Sequence, residues 1–524
     1  MTFVFFSRAL LALICGALLS LAFPPVGVWP LVLALAPLIL LTVNSLSARA
    51  AFWPGFFFGA GFFTLYLLWL PESFAPYSGG YFWFLYPPMI AVLGMFWGLV
   101  TFTARLLGGR GVGALWLLPA LWIIMEWART QGPFAFPWGV LGYLWVGTPL
   151  AQAADIAGVY GLSLLTFTLL SLLVSPLVYR PKRVLTASRW RTPESRNPRQ
   201  AGWLMWLAGL LLVAGWLGYG LFRVQTLAFS APKTAVLVQG STDPYARADS
   251  LEAVNGEISL YENLTLKARR KLADLPELIV WPEGVVLDAS LERGVGRERE
   301  MQKSVGGTAL ITGAAAYDDA TDEYFNSVYS LADAQVLSRY DKRYLVPFGE
   351  YFPATSVLRP VYRTVFGWFG LEFYQGRTPG AETVPLTLPG TQVAAYICYE
   401  SVFPQVARTM VAKGAQVLVN ISNDAWFGFG QGARQHFSMG NLRAIETRRY
   451  LLRDGNDGIT ALINPLGQVE KELPRGDRGA LTVQYGERSG VTPYVRFGDL
   501  LVLGLALAVP LIVLVRRTKG SSFS

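Results

Sequence analysis

The sequence predicts an α-helical membrane bundle of eight transmembrane helices joined to an extracytoplasmic α/β domain, and three observations predict it. Hydrophobic residues make up 53% of the 524 and aromatic residues 14%, proportions of a membrane protein rather than of a soluble chain this long. Of the 35 acidic residues only Glu72, Glu126, Asp155 and Glu194 lie in the first 224 positions. Apolar runs separated by short loops fill that first part, whereas strand-like and helix-like patterns alternate through most of the remainder.

Seven apolar segments are read in the first part, at roughly 8–23, 29–44, 51–70, 82–104, 112–127, 158–179 and 202–222, and an eighth covers 497–515. Several reach the roughly 20 apolar residues that a bilayer core requires. The first segment is read as a retained helix, because no small-residue cleavage pattern follows it and another apolar segment comes at once. Cations set the orientation. Arg180, Lys182, Arg183, Arg189, Arg191, Arg196 and Arg199 crowd one loop against Glu194, and Arg516, Arg517 and Lys519 follow the last helix. Both stretches are expected to be cytoplasmic, as are both termini. Three regions follow: a membrane domain over 1–224 holding the first seven helices, an extracytoplasmic domain over 225–495, and the eighth helix with its tail over 496–524. The net charge of +9 is then a topology signal, and nucleic acid is not expected as a partner.

The outer domain alternates strands and helices. "TAVLVQG", "ELIVWPEG", "TALITGAAAYD", "FNSVYSLAD", "QVLSRYDK", "TQVAAYIC", "AQVLVNIS", "ITALINPLG" and "GALTVQYG" read as strands. Helical spacing covers 248–273, 292–304, about 403–413 and 433–453. Continuous apolar strands alternating with helices imply sheet covered on its faces, an α/β layer fold. Ligands in such folds gather beyond the carboxyl ends of strands. Glu283, Lys342 and Cys398 stand at three such ends.

Only Cys15 and Cys398 are cysteines, and Cys15 lies in the first apolar run. A lone cysteine in an exported domain cannot close an internal disulfide there, so Cys398 either packs as a small hydrophobe or is kept as a thiol for chemistry. The single histidine, His436, leaves no Ser–His–Asp triad unless it serves itself. One histidine and two distant cysteines build no zinc site either. Its place in "RQHFSMG" reads as structural or helix-capping. No phosphate-binding glycine loop follows a strand, so neither metal nor nucleotide cofactor is expected. A cysteine can work without histidine if a carboxylate takes its proton and a cation favours the anion that forms. Glu283 and Lys342 supply those groups. A helix starting directly after Cys398 would add its N-terminal amide field. Each residue also has a plainer reading, Glu283 as a "PEG" turn and Lys342 as a solvated loop cation.

"WPEG" with Glu283, "YDKRYLVPFGEY" with Lys342 and Glu350, "ICYES" with Cys398 and "ISNDAWFG" with Asn423 resemble, in order and spacing, the Glu–Lys–Cys constellation of the nitrilase (carbon-nitrogen hydrolase) superfamily. More closely, with "QHF" and "GNDGITALINPLGQ" downstream, the chain resembles the bacterial apolipoprotein N-acyltransferase family over essentially its whole length. That resemblance implies a nitrilase-like αββα sandwich inserted before the last of eight membrane helices. It also implies a two-step, ping-pong acyl transfer. By it Cys398 is the nucleophile, Glu283 the general base and Lys342 the stabiliser of the oxyanion, with Glu350, Tyr399, Glu400, Asn326 and Asn423 in support. Two departures stand out: "STDPYARAD" after "VQG", and Gly284 where Ser or Thr is commoner after "WPE".

The acyl donor so implied is a membrane phospholipid. The acceptor is the α-amine of the diacylglyceryl cysteine that begins an apolipoprotein, and the site is the periplasmic face of the bacterial inner membrane. One site per chain makes a monomer sufficient. The stretch 351–374 is rich in Phe, Tyr and Trp and poor in charge. It reads as a lid or membrane-dipping arm through Tyr362, Phe366, Trp368 and Phe369, with Leu358 left unassigned, or else as a buried core segment. The alternative function is a membrane-anchored amidase in which water takes the thioester. A transporter or receptor is a further class, but the helix interiors hold almost no charge and no internal repeat is apparent.

Overall fold

The computed structural model describes residues 2–521 apart from 79, 81, 180–197, 243–250, 287–290, 292–295, 369–372, 374–375 and 429. The chain forms two compact units. One comprises Met1–Ala128, Trp138–Thr226 and Asp499–Ser524, the other Arg129–Pro137 and Leu227–Gly498.

The first unit is helical. Its helices cover Thr2–Ser20, Leu35–Val43, Ala48–Tyr66, Trp69–Ser78, Phe82–Gly108, Val112–Ala128, Ala154–Val178, Pro198–Thr226 and Leu500–Ser521, so every apolar segment read from the sequence contains helix. Among the described residues, four stretches are long and apolar enough to cross a bilayer: Phe3–Ser20, Phe82–Gly108, Pro149–Val178 and Arg199–Thr226. Trp29–Val43, Val112–Ala128 and Leu500–Val513 are apolar but shorter. Most of the cationic loop expected inside, 180–197, lies outside the described residues. Helix Ala154–Val178 is broken at Gly158, whose φ of 64° is left-handed. Its continuous part therefore starts where the apolar run at 158 starts.

Between apolar helices there is little hydrophobic force, and close backbone approach takes its place. Gly55 and Gly59 of Ala48–Tyr66 face Gly94 and Gly98 of Phe82–Gly108, each pair spaced four apart. A Cβ at Gly59 would stand 2.9 Å from the Cα of Gly94, and one at Gly55 2.5 Å from the Trp97 carbonyl oxygen.

The second unit holds two six-stranded sheets. The first runs β12 (Gly479–Tyr485), β1 (Lys233–Gln239), β2 (Leu278–Val280), β3 (Ala309–Asp318), β4 (Glu323–Ala332), β5 (Gln335–Asp341). The second runs β11 (Val469–Leu473), β10 (Thr460–Ile463), β9 (Leu451–Gly455), β8 (Val417–Ser422), β7 (Thr391–Ile397), β6 (Leu386–Leu388). β1, β2 and β3 are parallel, as are β7, β8 and β9. The sheets pack face to face, and polar pairs cross between them: Val238 N–H donates to Asp454 Oδ2 at 3.2 Å and Thr460 Oγ1 to Gln239 Oε1 at 2.6 Å. Helices Leu251–Arg269 and Arg297–Ser304 cover the first sheet, and Pro404–Ala412 and Gly432–Thr447 the second. Four layers, αββα, bury both faces of the central strands, which is why β8 reads as the continuous apolar run "VLVNIS".

Three expectations change. The helix expected over 433–453 ends at Thr447, where Arg448 takes the left-handed conformation (φ 53°) that closes helices, and "LLRDG" is then strand β9. That strand is fully buried and short, so its apolar residues could not be told from a last helical turn. The α-helix beyond Cys398 begins only at Pro404; Cys398–Val402 is a single 3₁₀ turn, so the amides nearest the thiol belong to that turn. The helix expected from 292 is seen from Arg297, and 292–295 lie outside the described residues.

Candidate active site

Local structure aims each candidate side chain. Buried Trp281 ends β2, its indole donating to Thr265 Oγ1 at 3.0 Å, and Pro282–Gly284 then turn across β3. That turn lies so close to Gly313 that a Cβ there would stand 2.7 Å from Glu283 Cα. Gly313 is thus what lets Glu283 sit where it does. Lys342 leaves β5 with its N–H on the Asn326 carbonyl (2.8 Å) and its carbonyl on Gly380 N–H (2.9 Å). Cys398 directly follows β7 with φ +48°, a left-handed conformation uncommon for a residue with a side chain and frequent at functional turns.

The exits of β2 and β5 converge on one hydrogen-bonded cluster, and Glu283 and Lys342 of that cluster act electrostatically on Cys398. Lys342 Nζ lies 2.8 Å from the Glu350 carboxylate and 3.4 Å from Glu283 Oε1. Asn326 Nδ2 donates to both carboxylates, at 2.7 Å to Glu283 and 2.9 Å to Glu350. Glu283 Oε2 accepts the backbone N–H of Asn423 (2.9 Å), and Glu350 that of Val346 (2.8 Å). Asn423 therefore serves through its backbone, while its side chain accepts from Ala425 N–H. Glu400 does not bond Lys342. Its carboxylate takes Tyr340 Oη (2.6 Å) and the N–H groups of Arg343, Tyr344 and Ile397, tying the exit of β5 to the exit of β7.

The electrostatics follow from burial. Lys342 is 1% exposed. Burial alone would lower its pKa, but Glu350 and Glu283 outweigh it and hold the ammonium above the usual lysine range. Burial likewise opposes ionisation of Glu350, and Lys342 reverses it, so that carboxyl is held below its ordinary value. Burial first, and Glu283 next, push the Cys398 thiol far up despite Lys342. At rest the site holds a neutral thiol beside an ammonium and two carboxyl side chains, not a preformed thiolate.

Residues 15–172 match the family described as "Apolipoprotein N-acyltransferase N-terminal domain", and residues 301–490 match "Carbon-nitrogen hydrolase". The chain is 32% identical over 507 residues to an apolipoprotein N-acyltransferase of Geobacter metallireducens, covering 94% of this chain and 91% of that one. The chain belongs to the apolipoprotein N-acyltransferase family. Relatives of that name in Allorhizobium ampelinum (33% identical, 88% of this chain and 87% of that one) and Caulobacter vibrioides (32%, 95% and 92%) match comparably. A solved amidase of Nesterenkonia sp. aligns with 53% of this chain and 97% of its own, with a TM-score of 0.36 and 17% identity.

Reasoning from sequence missed one part of this apolipoprotein N-acyltransferase site. Arg129–Pro137, assigned by sequence to the membrane region, joins the catalytic unit. Tyr399 Oη donates to the Ala135 carbonyl at 2.9 Å, Tyr351 Oη bonds the Pro133 carbonyl, and the rings of Phe134 and Phe348 lie 6.3 Å apart. Its signal was the break of the helical pattern at "RTQGPFAFP". His436, expected as a capping or structural residue, is not a cap: it is fully buried inside helix Gly432–Thr447.

The proposed lid is partly described. Helix Thr355–Trp368 carries Tyr362 and Phe366, whose rings pack with Phe352 at 5.2 Å each. Val357 and Val361 are 74% and 54% exposed. Phe369 and the side chain of Trp368 lie outside the described residues.

Proposed function

We propose that the protein transfers an acyl chain from a membrane phospholipid, through a thioester on Cys398, to the α-amine of the diacylglyceryl cysteine at the head of an apolipoprotein. The observation that carries the residue roles is the cluster in which Glu283 and Glu350 share Asn326 and flank buried Lys342. In the first step Cys398 Sγ attacks the ester carbonyl carbon while its proton passes to Glu283. The tetrahedral oxyanion forms beside Lys342 and the amides that follow Cys398. The C–O bond then breaks, and Glu283 returns the proton to the departing lysophospholipid oxygen.

In the second step the acceptor amine, neutral once its proton is gone, attacks the thioester carbonyl. Glu283 takes a proton from the nitrogen, the C–S bond breaks, and the proton goes to the leaving thiolate. A cation that is held charged suits both steps, because each passes through an oxyanion. Excess solvent would divert the thioester to hydrolysis, and the apolar surface of helix Thr355–Trp368 suits a lid that holds lipid and sheds water.

Both substrates are lipids, which suits a site at a bilayer surface. The apolar helices fit a membrane protein. The finer topology is part of the same proposal: eight spanning helices, both termini cytoplasmic, residues 1–224 and 496–524 in or under the bilayer and 225–495 on the periplasmic side of the inner membrane. The cation-poor loops and the cationic 180–199 stretch support it. A monomer suffices, each chain carrying one complete set of site residues.

Intact-protein mass spectrometry after incubation with phospholipid tests the reading. An acyl adduct on Cys398 that disappears when a diacylglyceryl peptide is added, with N-acyl peptide formed, is expected. Free fatty acid in place of N-acyl peptide would instead mean that water is the acceptor, and an adduct on a Cys398→Ala variant would remove the nucleophile from its role.

A further inference from the structure

Behind the nucleophile stands the chain's single histidine. His436 is fully buried. Its Nε2 is 3.0 Å from the carbonyl oxygen of Cys398 and 2.8 Å from Ser401 Oγ. Its Nδ1 is 3.1 Å from Asp424 Oδ1 and 3.1 Å from Arg453 Nη2. Arg453 Nη2 also donates to Asp424 Oδ2 at 2.8 Å, and Arg453 Nη1 donates to Asn420 Oδ1 at 2.5 Å. The Ser422 hydroxyl donates to Asp424 Oδ1 at 2.6 Å. One buried carboxylate–guanidinium pair thus reaches the Cys398 backbone through His436.

The ring nitrogens have competing partners: Nε2 meets the Cys398 carbonyl, and Nδ1 lies between the Asp424 carboxylate and the Arg453 guanidinium. A peptide carbonyl can only accept, so the contact with Cys398 requires hydrogen on Nε2. Nδ1 then offers a lone pair, and Arg453 Nη2 can supply it with a hydrogen. The opposite tautomer would donate from Nδ1 to Asp424 Oδ1, 3.1 Å away, and accept from Ser401 Oγ at Nε2, but would set the Nε2 lone pair against the Cys398 carbonyl oxygen at 3.0 Å. A second proton on the ring is disfavoured by burial and by adjacent Arg453, against the pull of Asp424. Asp424 itself stays ionised, because Arg453 and the Ser422 hydroxyl oppose its burial.

Cys398 needs such a hold. Its φ of +48° is a conformation that surrounding structure must impose, and the 3₁₀ turn it begins is only five residues long. We propose that His436, as the neutral ring with hydrogen on Nε2, is a positioning residue for acylation: it ties the Cys398 carbonyl to the Asp424–Arg453 pair and so holds the thiol at the angle from which it attacks. This rests on the reading of Cys398 as the nucleophile.

Because the chain has one histidine, protein labelled with ring-15N histidine gives a single imidazole signal set. We expect a protonated Nε2 and a bare Nδ1, unchanged from about pH 6 to about pH 8, where a free histidine would titrate. A proton on Nδ1, or an imidazolium in that range, would overturn the tautomer and with it the proposed hold on Cys398.

Single-turnover kinetics test the positioning. In His436→Phe, thioester formation at saturating phospholipid should slow about tenfold or more, with the half-saturating donor concentration changed less than about twofold. His436→Gln, whose amide can donate to the same carbonyl, should recover most of the rate. An unaltered rate in His436→Phe overturns the proposal, as does an equal loss in both variants that tracks a fall in Tm. If His436→Phe does not fold, a Gln variant no faster than Cys398→Ala overturns it as well. Failure of the underlying reading is distinct: the unaltered enzyme would then form no thioester on Cys398 at all.

Discussion

Tyr399 donates its phenolic hydrogen to the carbonyl oxygen of Ala135, 2.9 Å away and 264 positions earlier in the chain. The residue directly after Cys398 is thereby tied to a segment whose sequence neighbours are apolar helices. Its ring also makes edge contact with that of Phe403 at 5.1 Å.

Tyr399→Phe keeps the ring contact and deletes the bond. A neutral hydrogen bond is worth about 1 kcal/mol net, and leaving the Ala135 carbonyl without it adds to the loss. We expect a fall in Tm of a few degrees and a loss of turnover larger than that change explains, because the segment Arg129–Pro137 is released from the turn Cys398–Val402. Thermal unfolding and N-acyl peptide formation, measured on the same preparation, check this. Wild-type turnover with an unchanged Tm would mean that the bond has no role.

Lys342→Met removes the cation but preserves much of the buried stem. Glu283 and Glu350 are then left on Asn326 with no charge between them, and like charges so close cannot both stay ionised in a buried site. Turnover should drop by roughly 10²-fold or more, the scale of losing an oxyanion stabiliser. Lys342→Arg should not rescue it, since a planar guanidinium does not replace a point charge in this pocket. Rapid-quench measurement of thioester formation distinguishes this from a folding defect followed by circular dichroism.

Stability should depend on pH through the same pair. Glu350 has a depressed folded pKa, so its contribution is present above the unfolded carboxyl value of about 4.3 and is lost as pH falls through the folded value. Lys342 has a raised folded pKa, so its contribution is complete below the unfolded value of about 10.4 and is lost as pH rises through the folded one. The pair is therefore worth most between those limits. Glu350→Gln should flatten the acid side of a Tm-against-pH curve, and an acid limb as steep as that of the unaltered protein would contradict it.

Gly59→Val tests the helical unit. A side chain there meets the backbone of Gly94, with even a Cβ only 2.9 Å away. Parting the two helices should cost about 1–3 kcal/mol, the usual range for overpacking. Resistance to detergent unfolding should fall, whereas Ser at the same position should do less harm. Equal stability of the Val variant would show that these helices are not pressed together there.

Much of this was legible in the residues. Cys398, Glu283 and Lys342 stand out because each directly follows a strand-like run, apolar and buried before Glu283 and Cys398 and partly exposed before Lys342. The helical segments were legible for the same reason, since apolar length is a local property. Strand β9 was not, because five fully buried residues lack any period that separates a strand from the last turn of a helix. Nor was the membership of Arg129–Pro137 in the catalytic unit, a matter of contacts across more than two hundred positions.

The sequence by itself determined which groups could do chemistry: one thiol outside the apolar segments, one histidine, and carboxylates and an ammonium at strand exits. Tertiary structure decided how those groups are charged and held. Asn326 on β4 lies within bonding distance of two carboxylates only because β4 and β5 pair in one register. His436 reaches the Cys398 carbonyl only because helix Gly432–Thr447 packs on the turn that follows β7. Residue type and local pattern are written along the chain, but a proton's position depends on burial and on partners that meet only when distant segments pack.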